Sequence, residues 1–163
     1  MTKRTENGYS ICAGANLAGA DLTNADLTNA DLAGADLTNA SLDGANLSGA
    51  KLRGAKLRGA DLDGANLMRA VACNADFTDA HLIKATLQQA DFTGANLEGA
   101  LLIDANLTMA LLVECDLMDA DLSGANLAGA DLSHATLTGA KLDGSLGYWE
   151  ALPGPLRGSP TDN

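Results

Sequence analysis

The chain has 163 residues and a formal net charge of −11, and only 3% of its residues are aromatic. The length predicts a single domain, whose core must be built from Leu and Ala. The acidic charge disfavours direct nucleic-acid binding, which needs Lys and Arg to meet phosphates, and it suits a basic partner. Residues 1–9 are polar and predict a flexible lead-in. They show no signal peptide or membrane span, so we expect a cytoplasmic protein without a membrane role.

From Ala15 to Gly144 the sequence repeats every five residues in 26 consecutive units that read approximately A-[DN]-L-[ST]-G. The centre of the unit is Leu in 23 units, Phe in two and Ala in one. On an α-helix, five residues give a net step of about 140°, which would scatter the leucines around the helix. In a flat strand the leucines would alternate between opposite faces. A chain that turns a corner once per unit instead points every Ala and every centre toward one axis, and this predicts a solenoid.

On these residues the chain resembles the pentapeptide repeat family. The resemblance covers 130 of 163 residues. It implies an all-β fold, a right-handed quadrilateral parallel β-helix with four units per coil, hence about 6.5 coils stacked at the strand spacing. Packing also favours four sides, because Phe92 would then stack over Ala72 with Phe77 beside it, filling the volume that Ala72 leaves. Together with Leu57 and Leu97, these residues form the predicted core.

The three cysteines are Cys12, Cys73 and Cys115, and they show no metal spacing. Residues 10–14 keep the phase of the repeat as a degenerate first unit, which places Cys12 at an inward centre. Cys115 is also predicted to face inward several coils away, which argues against a disulfide between the two. Cys73 is predicted to face outward and to be the most reactive thiol.

The four sides are numbered by their first centres, which are Leu17, Leu22, Leu27 and Leu32. Of the 18 acidic residues in the repeats, 13 fall on the first and second sides. One interpretation is that these acidic residues are only the repeat consensus on a solvated surface. The other is that they imitate the charge of duplex DNA, since the resemblance implies relatives that inhibit or protect DNA gyrase. A basic cluster interrupts the acidic surface, and the loop insertions of quinolone-resistance members are absent from the repeats. The cluster comprises Lys51, Arg53, Lys56 and Arg58.

Several outward positions become apolar in the middle of the repeats, which predicts a contact surface for a protein partner or for a second copy. Sequence drift is the alternative interpretation. These positions are Met68, Val71, Ile83, Leu101, Ile103, Met109, Leu111, Val113 and Met118.

The repeat pattern fails at Ser145, and residues 145–155 are predicted to form a C-terminal cap, with one short helical turn that covers the last coil. A homodimer contact through the C-terminal end is the alternative. The candidate cap or dimer residues are Leu146, Tyr148, Trp149 and Leu152. Residues 156–163 are predicted to be a disordered tail.

The sequence holds no arrangement of residues typical of an enzyme. His81 and His134 are too far apart in the coil to act together, and a filled rod offers no pocket. We expect no cofactor and no specific metal site, since pairs such as Asp61 and Asp63 would hold cations only loosely. The sequence therefore predicts a non-catalytic interaction or structural scaffold, with an acidic DNA mimic that binds DNA gyrase as the alternative.

Overall fold

The computed structural model describes residues 4–147, and the repeats wind in coils of 20 residues. Parallel bridges join the residue before each centre to the residue 20 positions later, from Asn16 and Asp36 to Asn126 and Leu146. Four five-residue units therefore complete one coil. The predicted right-handed quadrilateral β-helix is confirmed.

Each unit is bonded to the coils above and below it. In one unit, the amide of Leu37 donates to the carbonyl of Lys56 at 2.7 Å, and the amide of Asp36 donates to Ala15 at 2.9 Å. The corner is closed within the chain by the amide of Ala40, which donates to Leu37 at 3.0 Å. The same hydrogen bonds recur along the described repeats, so most backbone amide and carbonyl groups of each coil are paired with the neighbouring coils.

Each corner requires a left-handed residue, as in a type II turn. The last residue of all 26 units has a positive φ, between 54° and 75°. Gly or Asn occupies 17 of these corners. Nine corners hold another residue: Arg69, Asp79, Lys84, Gln89, Asp104, Met109, Glu114, Asp119 and His134.

The core is a column of inward Ala and Leu residues, and the predicted members are buried. Leu57, Ala72, Phe77 and Phe92 are 0% exposed, and Leu97 is 1% exposed. The bridges place Phe92 in the coil directly above Ala72. The rings of Phe77 and Phe92 meet edge to face with centroids 5.3 Å apart. The predicted compensation for the small centre is confirmed.

The prediction for Cys73 is wrong, because its side chain is buried at 7% exposure. Its thiol donates a hydrogen bond to Oδ2 of Asp91, in the coil above, at 3.1 Å. Burial, followed by this bond to the carboxylate, raises the pKa of the Cys73 thiol. Cys73 is therefore a poor nucleophile.

The other two thiols differ in burial. Cys115 is inward as predicted, and its thiol donates to the carbonyl of Phe92 at 2.8 Å. Burial raises the pKa of Cys115 to about 12. Cys12, predicted to face inward, is only half-buried, and Ile11 takes the buried place beside it. All three cysteines are free.

The N-terminal segment also differs from the predicted flexible lead-in. Strand β1, Arg4–Glu6, pairs antiparallel with strand β2, Tyr9–Ile11. Asn7 and Gly8 connect the strands with φ values of 50° and 83°. Two positive φ values are the requirement of a type I′ hairpin turn, and Asn-Gly is its preferred sequence.

This hairpin covers the open edge of the first coil. The amide of Asp26 donates to Oε1 of Glu6 at 3.4 Å, and the amide of Asp21 donates to the hydroxyl of Tyr9 at 3.4 Å. In later coils, carbonyls of the preceding coil accept these bonds. The hairpin therefore takes the place of a preceding coil and protects a strand edge.

The C-terminal end continues further than predicted. Leu146 still pairs with Asn126, and Ser145 takes the inward position. Leu146 does not cover the last coil, because it points outward and is 58% exposed. Tyr148, Trp149 and Leu152 lie outside the described residues, as does the predicted helical turn. Between residues 4 and 147 there is no helix with the length and apolarity needed to cross a membrane.

Candidate functional site

The Asp and Asn residues that precede a centre have a structural task. In 16 units, a side-chain oxygen of this residue accepts a hydrogen bond from the amide of the residue after the centre, at 2.9–3.3 Å. This Asx turn satisfies an outward amide that no neighbouring coil reaches. Ten of these 16 residues are Asp, so much of the acidic surface follows from the fold and does not by itself indicate a partner.

Several of these carboxyls have a lowered pKa for the same reason. The hydroxyl of Thr38, followed by its amide, lowers the pKa of Asp36. The hydroxyl and amide of Ser123 likewise lower the pKa of Asp121. Both shifts come from hydrogen bonds that favour the charged carboxylate. They are features of the repeat and are not the signature of a catalytic acid.

The basic cluster is partly paired. Arg58 lies 3.6 Å from Oδ2 of Asp79 in the coil above, with both side chains more than 60% exposed. An ion pair this exposed contributes little to stability. The cluster therefore remains a basic interruption of the acidic surface, as predicted.

The structure does not gather the nine predicted apolar positions into one surface. Ile83, Leu101 and Ile103 stack on the second side, where all three are half-buried. Met68 on the third side and Met118 on the first side are also half-buried. The remaining four lie on the fourth side or at the corner that leads into it, which are Val71, Met109, Leu111 and Val113.

The most exposed members of this set lie along one corner of the rod, within two coils of each other. Val71, Met109 and Leu111 are 36%, 58% and 43% exposed. Met109 ends a third-side unit and Leu111 begins the next fourth-side strand, while Val71 lies two coils from Leu111 in the same column. We name these three residues the apolar corner. The other large apolar side chain that is exposed among residues 6–147 is Leu146 at the C-terminal end.

A ladder of side chains leads up to this corner. Arg69, Gln89 and Met109 occupy the same turn position in three successive coils. Nε of Arg69 donates to Oε1 of Gln89 at 2.9 Å. Nε2 of Gln89 lies 3.9 Å from the sulfur of Met109. Of these three residues only Met109 was predicted from the sequence, as an apolar outward position, and the stacking was not predicted.

The ladder is held at a cost in backbone strain. Arg69, Gln89 and Met109 have φ values of 58°, 58° and 59°, in the left-handed region. For a residue other than Gly this conformation costs about 1–2 kcal/mol. All 26 corners have a positive φ, however, and nine of them hold a residue other than Gly or Asn, so the strain is not particular to these three turns. The exposure of its apolar side chains is what distinguishes this corner.

The two histidines remain apart, as predicted. His81 stands on the second side, where its column includes Asp61, and His134 ends a unit of the fourth side. Neither histidine lies at the apolar corner. Nothing in this arrangement joins the two into one site.

The family model described as pentapeptide repeats matches the chain in eight copies, over residues 10–49, 50–89, 80–117 and 115–145. A search of curated protein sequences found no significant match to this chain. Among solved structures, the pentapeptide repeat protein Rfr23 from the cyanobacterium Cyanothece 51142 is 34% identical, with a TM-score of 0.55. The alignment covers 56% of this chain and 63% of Rfr23, so the chain spans less than two thirds of that relative.

Two further structures resemble the chain more loosely. HetL, a pentapeptide repeat protein involved in heterocyst differentiation regulation in Nostoc sp. strain PCC 7120, is 32% identical over 83% of this chain and 73% of HetL, with a TM-score of 0.40. Full-length QnrB1, a plasmid-mediated fluoroquinolone resistance protein, is 20% identical over 82% of this chain and 75% of QnrB1, with a TM-score of 0.30. At that identity the likeness to QnrB1 is one of fold alone.

Proposed function

This chain belongs to the pentapeptide repeat family, and we propose that it is a non-catalytic scaffold that binds a protein through the apolar corner. The observation that carries the proposal is that Val71, Met109 and Leu111 lie along one corner within two coils, and that each is at least 36% exposed. The bound protein is either a different chain or a second copy of this one.

The energetic contribution of the corner defines its role. Full burial of a large apolar side chain contributes about 1.5–3 kcal/mol. Scaled by the exposed fractions, the three residues together would contribute about 3 kcal/mol on binding. That amount suits the central contact of an interface but not a whole interface, which needs surrounding contacts that exclude water.

The one acidic residue between Val71 and Leu111 is Asp91, and both of its oxygens accept hydrogen bonds from the rod. Oδ1 of Asp91 accepts the amide of Thr93 at 3.0 Å, and its Oδ2 accepts the Cys73 thiol at 3.1 Å. Burial penalises a polar group most when its hydrogen bonds are left unmade. Asp91 itself is half-exposed, so a partner that covers this carboxylate must supply a hydrogen-bond donor or a basic group.

The test restores the repeat consensus at the corner. The variant Met109→Gly/Leu111→Asn removes both apolar side chains while supplying the residues that most turns and many Asx positions already use. The matched control, Lys84→Gly/Leu101→Asn, makes the same kind of change on the second side. Asn is chosen at position 111 because Asp91 and Asp131 flank it in the column, so a third carboxylate would add repulsion.

The measurement compares the proteins retained by immobilised wild type, corner variant and control, together with sedimentation of each form to detect self-association. We expect a protein, or a second copy, that binds the wild type and the control but is lost with the corner variant. Circular dichroism establishes that all three forms are folded. Equal retention by the corner variant, with the fold intact, would refute the proposal.

DNA gyrase is the alternative partner, supported by the net charge of −11 and by the 13 acidic residues on the first and second sides. An acidic mimic of DNA would act through carboxylates and not through the apolar corner. A supercoiling assay with purified gyrase therefore distinguishes the two ideas. Inhibition, or protection against a quinolone, that the corner variant retains would favour the alternative.

A further inference from the structure

Three metal-ligating side chains converge on the second side of the rod, away from the apolar corner. Asp61 and Asp63 flank one centre, and His81 lies directly above Asp61 in the next coil. One ligand atom from each residue lies within 4.8 Å of the other two. From this convergence we propose that Asp61, Asp63 and His81 bind one divalent transition-metal ion of the Zn²⁺ type.

The two carboxylates are already oriented by the backbone. Oδ1 of Asp61 accepts the amide of Asp63 at 3.1 Å, and Oδ1 of Asp63 accepts the amide of Ile83 at 2.8 Å. Each carboxylate therefore keeps its second oxygen for a metal. Hydrogen bonds that orient ligating carboxylates in this way are a regular part of metal sites.

The second of these bonds depends on both His81 and Asp63. His81 stands where most units have Asp or Asn, so the amide of Ile83 lacks the usual acceptor in its own unit. That amide reaches down to Asp63 instead. Within the described repeats, no other backbone amide bonds a side chain of the preceding repeat coil. This bond orients Asp63 in the coil below His81.

The local charge favours a cation. Between residues 6 and 147, neither Asp61 nor Asp63 forms an ion pair with Lys or Arg. Two adjacent carboxylates without a counter-charge repel one another, and a divalent ion would remove that repulsion. This arrangement goes beyond the loosely held cation expected from the two carboxylates alone, because the imidazole adds a directional ligand.

The ligand set selects the kind of metal. An imidazole nitrogen with two carboxylate oxygens suits Zn²⁺ and its neighbours, whereas Mg²⁺ and Ca²⁺ prefer oxygen alone. Zn–N and Zn–O bonds near 2.1 Å place ligand atoms about 3.4 Å apart in a tetrahedron, which side-chain rotation of the three groups would reach. His81 is exposed and the two Asp residues are half-exposed. Water, or a group from another molecule, would complete the coordination.

The test uses the full chain, Zn²⁺ and two conservative variants. His81→Asn removes the imidazole but restores an acceptor for the amide of Ile83. Asp61→Asn keeps a side-chain oxygen that accepts the backbone amide of Asp63 but removes the carboxylate charge. The matched control is His134→Asn, which removes the other histidine at a corner where Asn is well tolerated.

Calorimetric titration with Zn²⁺ should show one site per wild-type chain, with affinity reduced at least ~10-fold by either variant at the site and unchanged in the control. Imidazole NMR signals should shift on Zn²⁺ addition for His81 and not for His134. The proposal is overturned if Zn²⁺ does not bind, if His81→Asn binds it as tightly, or if Mg²⁺ binds as tightly as Zn²⁺. Circular dichroism shows that each variant is folded, and the two site variants provide independent tests.

Discussion

Replacing Met109 by Gly tests whether the apolar corner is maintained at the expense of stability. Met109 has a φ of 59°, a conformation that costs a residue other than Gly about 1–2 kcal/mol. Relief of this strain stabilises the folded state. Gly also has more freedom in the unfolded chain, which offsets about 0.5–1 kcal/mol of the relief. The side chain is 58% exposed, and its contact with Gln89 is long, at 3.9 Å, so its removal forfeits little packing. We therefore expect Met109→Gly to stabilise the rod by about 0.5–1 kcal/mol.

Urea denaturation followed by circular dichroism measures the change in free energy of unfolding. The matched control is Gly129→Ala, one coil above at the same corner, with a φ of 69°. A Cβ there would meet Cγ of Met109 at 3.5 Å, an ordinary contact, so the loss of about 1 kcal/mol expected for the control comes from backbone strain. If Met109→Gly instead destabilises the rod while the denaturant slope stays constant, the side chain contributes stability and the reasoning is wrong.

Three further predictions concern the core, the Asx turns and the thiols. Leu97 is 1% exposed, so Leu97→Asp would bury an unpaired charge. This variant should lose the cooperative thermal unfolding seen by circular dichroism, and unfolding like that of the wild type would contradict the inward assignment of Leu97. The pKa of Asp121 is lowered from 3.8 by the hydroxyl and amide of Ser123, so this bond stabilises the fold at pH above that value and is lost as the pH falls below it. Urea titrations at about pH 5 and pH 3 should therefore show a smaller loss of stability on acidification in Ser123→Ala than in wild type, and an equal loss would refute the assignment. Iodoacetamide should modify the half-buried Cys12 before Cys73, whose pKa is raised by burial and by a carboxylate, and peptide mass spectrometry would show the reverse order if the burial of Cys73 were wrong.

The inward half of the fold could be predicted from the sequence because one physical requirement repeats in every unit. A narrow axis accepts only Ala and one larger apolar residue, so the phase of the repeat identifies the core. Even the exception at Ala72 could be interpreted, since Phe92 sits in the coil above and Phe77 meets it at 5.3 Å between ring centroids.

A second signal for four sides is present in the sequence, although our prediction did not use it. Each Asn or Asp at a corner is followed 20 residues later by Gly. The side-chain oxygen of the lower residue occupies the space that a Cβ of the upper residue would need, so any residue but Gly would force that side chain to move. The pairs are Asn24–Gly44, Asn29–Gly49, Asn39–Gly59, Asn74–Gly94, Asp79–Gly99, Asp104–Gly124 and Asp119–Gly139.

The N-terminal hairpin also carried a signal that was missed. Asn7-Gly8 between two short polar runs is a strong hairpin sequence, but the low apolar content of residues 1–9 suggested a flexible segment. The hairpin is held by polar bonds, such as that from the amide of Asp21 to the hydroxyl of Tyr9 at 3.4 Å, together with the packing of Tyr9 and Ile11 against the core. Hydrophobic patterning over residues 1–9 does not detect the polar bonds.

The outward surface was less predictable, because exposure there depends on the coils above and below. Outward position alone placed Cys73 in solvent, whereas Asp91 in the next coil accepts its thiol and the side chain is buried. The same dependence divides the predicted apolar set. Leu101 and Leu111 hold the same position within their units, yet Leu101 is half-buried on the second side and Leu111 is exposed on the fourth.

The central claim is that the chain acts through the apolar corner, and photo-crosslinking tests it most directly. A photoreactive amino acid is placed at position 111 in one form and at position 101 in a second form, and each is irradiated with the retained partner or at a concentration where the chain self-associates. The account predicts crosslinks from position 111 and few from position 101. Crosslinks that form equally from both positions, or mainly from position 101, would contradict it.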